Sequence, residues 1–121
     1  MRVRERLAVW LLVGSVVLGM GCEARRELAV GLQTDFVPGI EFDDVRVELD
    51  GVEAARRAVD VDDSFARPTT LLERTDVAPG RRRIRVALLL DDTEIVRRTV
   101  EIPLRDRYLA TVVIKIGRAH V

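Results

Sequence analysis

Side chains that carry nucleophilic or metal chemistry are scarce in this chain, which has one cysteine, Cys22, one histidine, His120, and one lysine, Lys115. An activated nucleophile needs Ser, Cys, Thr or Lys beside a base, and zinc favours Cys and His ligands. Neither chemistry has enough groups here. Carboxylates are the remaining resource. Asp60, Asp62 and Asp63 in VDVDDS form the best cluster, since alternate aspartates beside a loop can direct oxygens at one calcium ion. The stretch lacks the glycine and the distant glutamate of an EF-hand loop, so a solvated strand end is the leading expectation and calcium the weaker one. Asp43-Asp44 and Asp91-Asp92 read as turn residues, because Asp hydrogen-bonds the backbone two residues on. The expectation is no catalytic residue, no resident metal and no cofactor.

Arginine supplies the other concentration of charge. Arg81, Arg83 and Arg85 alternate with Arg82, Ile84 and Val86, which places the first three on the face opposite the apolar one. A solvated sheet face balanced by cross-strand carboxylates such as Glu94 or Glu101 follows, with binding to anionic envelope polymers the lesser alternative. Arg56-Arg57 and Arg97-Arg98 read the same way. The chain has 20 basic and 20 acidic residues; setting aside Arg2, Arg4, Arg6 and Glu5 leaves 17 and 19. A near-neutral chain generates no field that calls for nucleic acid.

The elements that position these groups are strands. Leu28, Val30 and Leu32 alternate in polarity, as do Val45, Val47 and Leu49 against Arg46, Glu48 and Asp50. Asp50-Gly51 reads as a tight hairpin turn, both residues tolerating positive φ. Glu53 to Arg57 has helical propensity, but the alternation from Ala58 to Asp62 favours a returning strand. Residues 62–70 read as a loop, and Val77-Ala78-Pro79-Gly80 as a turn. Ile84, Val86, Leu88 and Leu90 form the clearest inward face. Asp91-Asp92-Thr93 turns the chain back into a strand where Val96, Val100, Ile102 and Leu104 share a face that Arg98 interrupts. The last run, RYLATVVIK, is apolar on both faces, which suits a central strand. Six or seven strands spaced about 8 to 12 residues apart predict an all-β sandwich.

The first six residues carry Arg2, Arg4 and Arg6, and an uncharged apolar run of 14 residues, Leu7 to Met20, follows. This is the pattern of a helical secretory signal, and it is shorter than the roughly 20 residues a membrane-spanning helix needs. The run ends in Leu18-Gly19-Met20-Gly21-Cys22, which resembles the lipobox of bacterial lipoproteins. The resemblance implies recognition by signal peptidase at Leu18 to Gly21 and acylation of Cys22, a membrane anchor worth about 0.8 kcal/mol per buried CH₂. Glu23 after the cysteine implies the outer membrane rather than the inner. Acylation would also account for a single cysteine in an exported chain, which cannot form an internal disulfide.

Two further resemblances bear on the domain. APGRRRIRVALLLDDTEIVRRTVEIPL resembles the paired late strands of immunoglobulin-like and fibronectin-type modules, although no tryptophan outside the signal matches the Cys…Trp…Cys core of true immunoglobulin domains. ELAVGLQTDFVPGIEFDDVRVELDG resembles the start of uncharacterised lipoproteins of the myxobacterial type, a family that implies no activity. At the other end, Ile116-Gly117-Arg118-Ala119-His120-Val121 resembles the in-frame translation of a sequencing adapter, ATC GGA AGA GCA CAC GTC. On that reading the genuine sequence breaks off near Ile114, His120 is no functional group, and Ser64 has no histidine to serve it.

The expected organisation is therefore a signal peptide over 1–21, a tether over 22–26, a small immunoglobulin-like β-sandwich over 27–115 and an adapter-derived tail over 116–121. The expected function is non-catalytic: an extracytoplasmic, lipid-anchored spacer or interaction module whose partners are the membrane and an envelope protein or polysaccharide. The alternative is the membrane-proximal stalk of a longer enzyme or binding protein.

Overall fold

A computed structural model describes residues 27–75, 77–105 and 109–118. The signal segment, the tether with Cys22, and His120 lie outside the described residues. Seven strands follow one another: β1 (Glu27–Thr34), β2 (Asp44–Leu49), β3 (Val52–Ala58), β4 (Thr69–Thr75), β5 (Gly80–Leu90), β6 (Thr93–Leu104) and β7 (Leu109–Ile116). They form a three-stranded sheet ordered β4-β1-β7 and a four-stranded sheet ordered β3-β2-β5-β6, a small all-β sandwich as expected.

Period-2 patterning decides which faces meet. Leu28, Val30 and Leu32 of β1, Val45 and Val47 of β2, and Ile84, Val86 and Leu88 of β5 are all fully buried between the sheets. Phe42, Val59, Phe65, Leu72, Val77, Leu104, Ile114 and Ile116 belong to the same cluster. Each such side chain contributes roughly 1.5–3 kcal/mol over leaving it in water. Leu90, at the end of the β5 face, is only half-buried beside its turn. Phe42 and Phe65 come from the β1–β2 and β3–β4 loops, two of the connections that cross between the sheets, and their rings meet edge to face at 5.7 Å. The Phe65 carbonyl accepts from the Thr34 amide at 2.9 Å, which fastens its loop to β1.

Both hairpins lie in the four-stranded sheet. Asp50 and Gly51 hold φ of 53° and 86°, the double left-handed geometry that matches the twist of the flanking strands. Asp91 and Asp92 adopt the same geometry with φ of 50° and 65° and no glycine. Asp43 assists by accepting the Asp91 amide. Gly39 (φ 79°) is needed for two reasons, because an added Cβ would also sit 2.6 Å from the Val61 backbone nitrogen.

Besides placing Asp44 in β2 rather than in a turn, and ending β3 at Ala58 so that Val59 to Asp62, read as strand, lie beyond it, the structure corrects the sequence reading in two further places. Thr69 and Thr70, expected in a loop, open β4, which pairs antiparallel with β1. A register shift in that pairing between Val30 and Gly31 breaks the local alternation around Leu71 and Leu72, which hides the strand. The second correction concerns β7, expected to be central. Among the described residues it is an edge strand, paired with β1 alone, in parallel, from Glu27↔Leu109 to Thr34↔Ile116. Its second apolar face is exposed at Leu109 and Val113, and its ladder extends to Ile116, one residue past the expected domain boundary.

Candidate functional site

The richest concentration of charged groups covers the outer face of the four-stranded sheet. Its centre is made possible by a small residue. Register places Ala87 between Arg46 and Arg97, and Leu89 between Asp44 and Glu94. Because Ala87 projects so little, Arg46 on β2 reaches across β5 and donates to Glu94 on β6 at 3.0 Å. Ala87 and Leu89 are buried although they lie on the face away from the core, consistent with cover from the stems of long polar side chains.

The pairing continues outward in both directions. Arg46 Nε faces Glu48 at 3.4 Å, Arg85 approaches the other Glu48 oxygen at 3.6 Å, and Arg97 approaches Glu94 at 3.3 Å. Arg81 and Arg83 share Glu101, each at 3.2 Å. Arg56 donates to Asp44 at 2.7 Å; that hydrogen bond and the attraction of the carboxylate raise the guanidinium pKa further above its ordinary value. Each of these arginines lies within 3.6 Å of a carboxylate, which makes the face a lattice of ion pairs rather than a basic groove. Glu101 balances Arg81 and Arg83 as the sequence predicts, whereas Glu94 pairs with Arg46 and Arg97, and Arg85 turns to Glu48 instead.

A cavity of about 480 Å³ lies at the end of β7 and is lined by Gln33, Thr34, Asp35, Arg98, Lys115 and Ile116 among others. Gln33, Thr34, Asp35 and Arg98 here hold the chain together. Thr34 Oγ1 donates to the Ile116 carbonyl at 2.6 Å and accepts from the Phe36 amide at 3.1 Å. Gln33 donates to the Ala66 carbonyl, and the Asp35 carboxylate accepts from the Arg118 amide. Arg98 reaches from β6 to donate to the Lys115 carbonyl at 2.6 Å, which explains why an arginine interrupts an otherwise apolar face. Arg118 also lies against the Phe36 ring and pairs with Glu41.

The calcium candidates are not brought together as a ligand set. Asp63 accepts the Asp60 amide at 2.9 Å through one carboxylate oxygen and faces Arg57 at 3.5 Å through the other, while Asp62 is exposed. Among the described residues no three His, Cys, Asp or Glu side chains form a metal-holding group. Ser64 accepts the Ala66 amide at 3.5 Å, within its own turn. Sequence reasoning missed Arg46, Glu48 and Asp44 as partners in the outer lattice, because which charges become neighbours depends on strand register. Leu18, Gly19, Met20, Gly21 and Cys22 lie outside the described residues.

Comparison of the chain with protein-family models, with curated proteins and with solved structures returned no match.

Proposed function

We propose that the chain is a non-catalytic spacer or interaction module of the bacterial cell envelope, held to the outer membrane through acylated Cys22. The observation that carries the spacer reading is the parallel pairing of β1 with β7. The first and last described strands run in the same direction, so the polypeptide enters β1 at one pole of the sandwich and leaves β7 at the other. Eight paired residues separate the poles by roughly 23 Å. The arginine–carboxylate lattice supports the non-catalytic reading, since its charged groups are spent on one another. The membrane and an envelope protein or polysaccharide are the proposed partners.

Cys22→Ala tests the anchor. The substitution is expected to abolish labelling by a fatty-acid probe and to release the protein from the membrane fraction; unchanged labelling and retention would overturn it. The pole-to-pole path equally suits the second reading, a membrane-proximal stalk of a longer protein. Resequencing the source DNA across the codons for Ile114 to Val121 separates the two. A reading frame that continues into another domain favours the stalk, and a stop codon soon after Ile114 favours the module.

A further inference from the structure

We propose that the open edge of β7 binds the β7 edge of a second copy of this chain, joining two three-stranded sheets into one of six strands. The proposal stands independently of the anchor. It begins with how differently the four edge strands are protected. Exposed edges are ordinarily blunted by charge, proline or cover. Charges at Glu53, Arg56 and Arg57 mark β3, and Glu73 and Arg74 mark β4. Edge strand β6 carries Glu94, Arg97, Arg98 and Glu101 as well as Pro103. By contrast β7, LATVVIKI, holds a single charge, Lys115, with β-branched residues at Thr111, Val112, Val113, Ile114 and Ile116.

Backbone polarity fixes which groups are on offer. The Thr34 amide points to the β4 side, toward Phe65, so the odd-numbered residues of β1 face β7. In a parallel ladder their partners are then the N–H and C=O groups of even-numbered β7 residues. Odd-numbered residues Leu109, Thr111, Val113 and Lys115 thus present their backbone groups outward. The Lys115 carbonyl, met by Arg98 from another strand, agrees. Among the described residues Arg98 is the group seen bonding to this edge, and it blocks one carbonyl at one end.

A two-fold axis through Val112 satisfies this pattern. It sets Thr111 opposite Val113 of the second copy as hydrogen-bonded pairs, and Val112 opposite its own equivalent as a closely spaced non-hydrogen-bonded pair. Four backbone hydrogen bonds form without disturbing Arg98. The same register sets Lys115 of each copy beside Leu109 of the other, so the lysine stem covers the most exposed large apolar residue of the strand. Since Leu109 pairs with Glu27, the ammonium group arrives next to a carboxylate at both ends of the interface. Two copies of β7 are therefore complementary in hydrogen bonding, apolar surface and charge, whereas an arbitrary extended partner needs to match only the first.

The test is disulfide trapping in the full chain carrying Cys22→Ala, so that the introduced thiol is the only one. Val112→Cys, at the two-fold axis, is expected to give a covalent dimer on mild oxidation, and Val52→Cys on the β3 edge to give none. Should Val112→Cys fail to fold, Thr111→Cys with Val113→Cys on the exposed face tests the same register. Sedimentation of the cysteine-free chain is expected to show twice the monomer mass. Val113→Pro removes an outward N–H that β1 does not use and is expected to return the monomer with an unchanged circular dichroism spectrum. Arg98→Ala, which frees the last carbonyl, is expected to tighten the dimer. A monomeric mass, absence of trapping in both cysteine variants, or equal trapping through Val52→Cys would overturn the proposal.

Discussion

Asp91 and Asp92 hold a left-handed backbone that costs an L-residue energy and costs glycine almost none. The neighbouring hairpin supplies an internal comparison, since there the second turn position is Gly51. Asp92→Gly is therefore expected to stabilise the fold by about 0.5–1 kcal/mol, a rise in Tm of about 2–8 °C for a domain this size, measured by thermal unfolding. Removing the carboxylate sacrifices little, because the Asp92 side chain is 92% exposed and its ion pair with Arg56 is long, at 3.4 Å. At this scale the sequence was legible wherever backbone geometry restricts residue type. Asp50-Gly51 announces its turn because two consecutive positive φ angles admit few residues. Arg98 was visible as an interruption, but its purpose was not, since the Lys115 carbonyl it meets is brought near by the tertiary fold.

Whether an element could be recognised depended on how cleanly its period survived its pairing. Val45 and Val47 of β2 and Ile84, Val86 and Leu88 of β5 keep their alternate apolar positions and were evident, although each strand also shifts register against one neighbour; β4 lost its alternation where its register shifts against β1. The two-sided apolar character of β7 was read correctly as a pattern and wrongly as a position, because local sequence does not state how many neighbours a strand will have. The outer lattice was half legible for the same reason. Arginines opposite carboxylates could be expected, but the bridge from Arg46 to Glu94 required knowing that β5 lies between them and is thin at Ala87. That bridge is partly screened by solvent, with side chains 25% and 28% exposed. A double-mutant cycle of Arg46→Met and Glu94→Gln is expected to give a coupling of about 0.2–1 kcal/mol. The coupling should shrink as salt is raised, and denaturant unfolding at low and high ionic strength measures both.

The whole molecule was the most legible scale in outline. A chain whose strands recur at short intervals, with turns between and apolar residues on alternate positions, has few ways to bury that surface other than between two sheets. Which strands would close the sheets was not written locally, and the closing pair is the informative one. Because β1 and β7 lie side by side and parallel, tension applied at the start of one and the end of the other slides them along each other. All the hydrogen bonds of the ladder then bear the load together, whereas a hairpin pulled from its open end yields one rung at a time. Stretching the sandwich between residues 27 and 116 in a force-spectroscopy tether is expected to require a higher rupture force than pulling between Asp44 and Ala58, which peels β3 from β2. A domain wired this way resists being drawn out when its two poles are pulled apart.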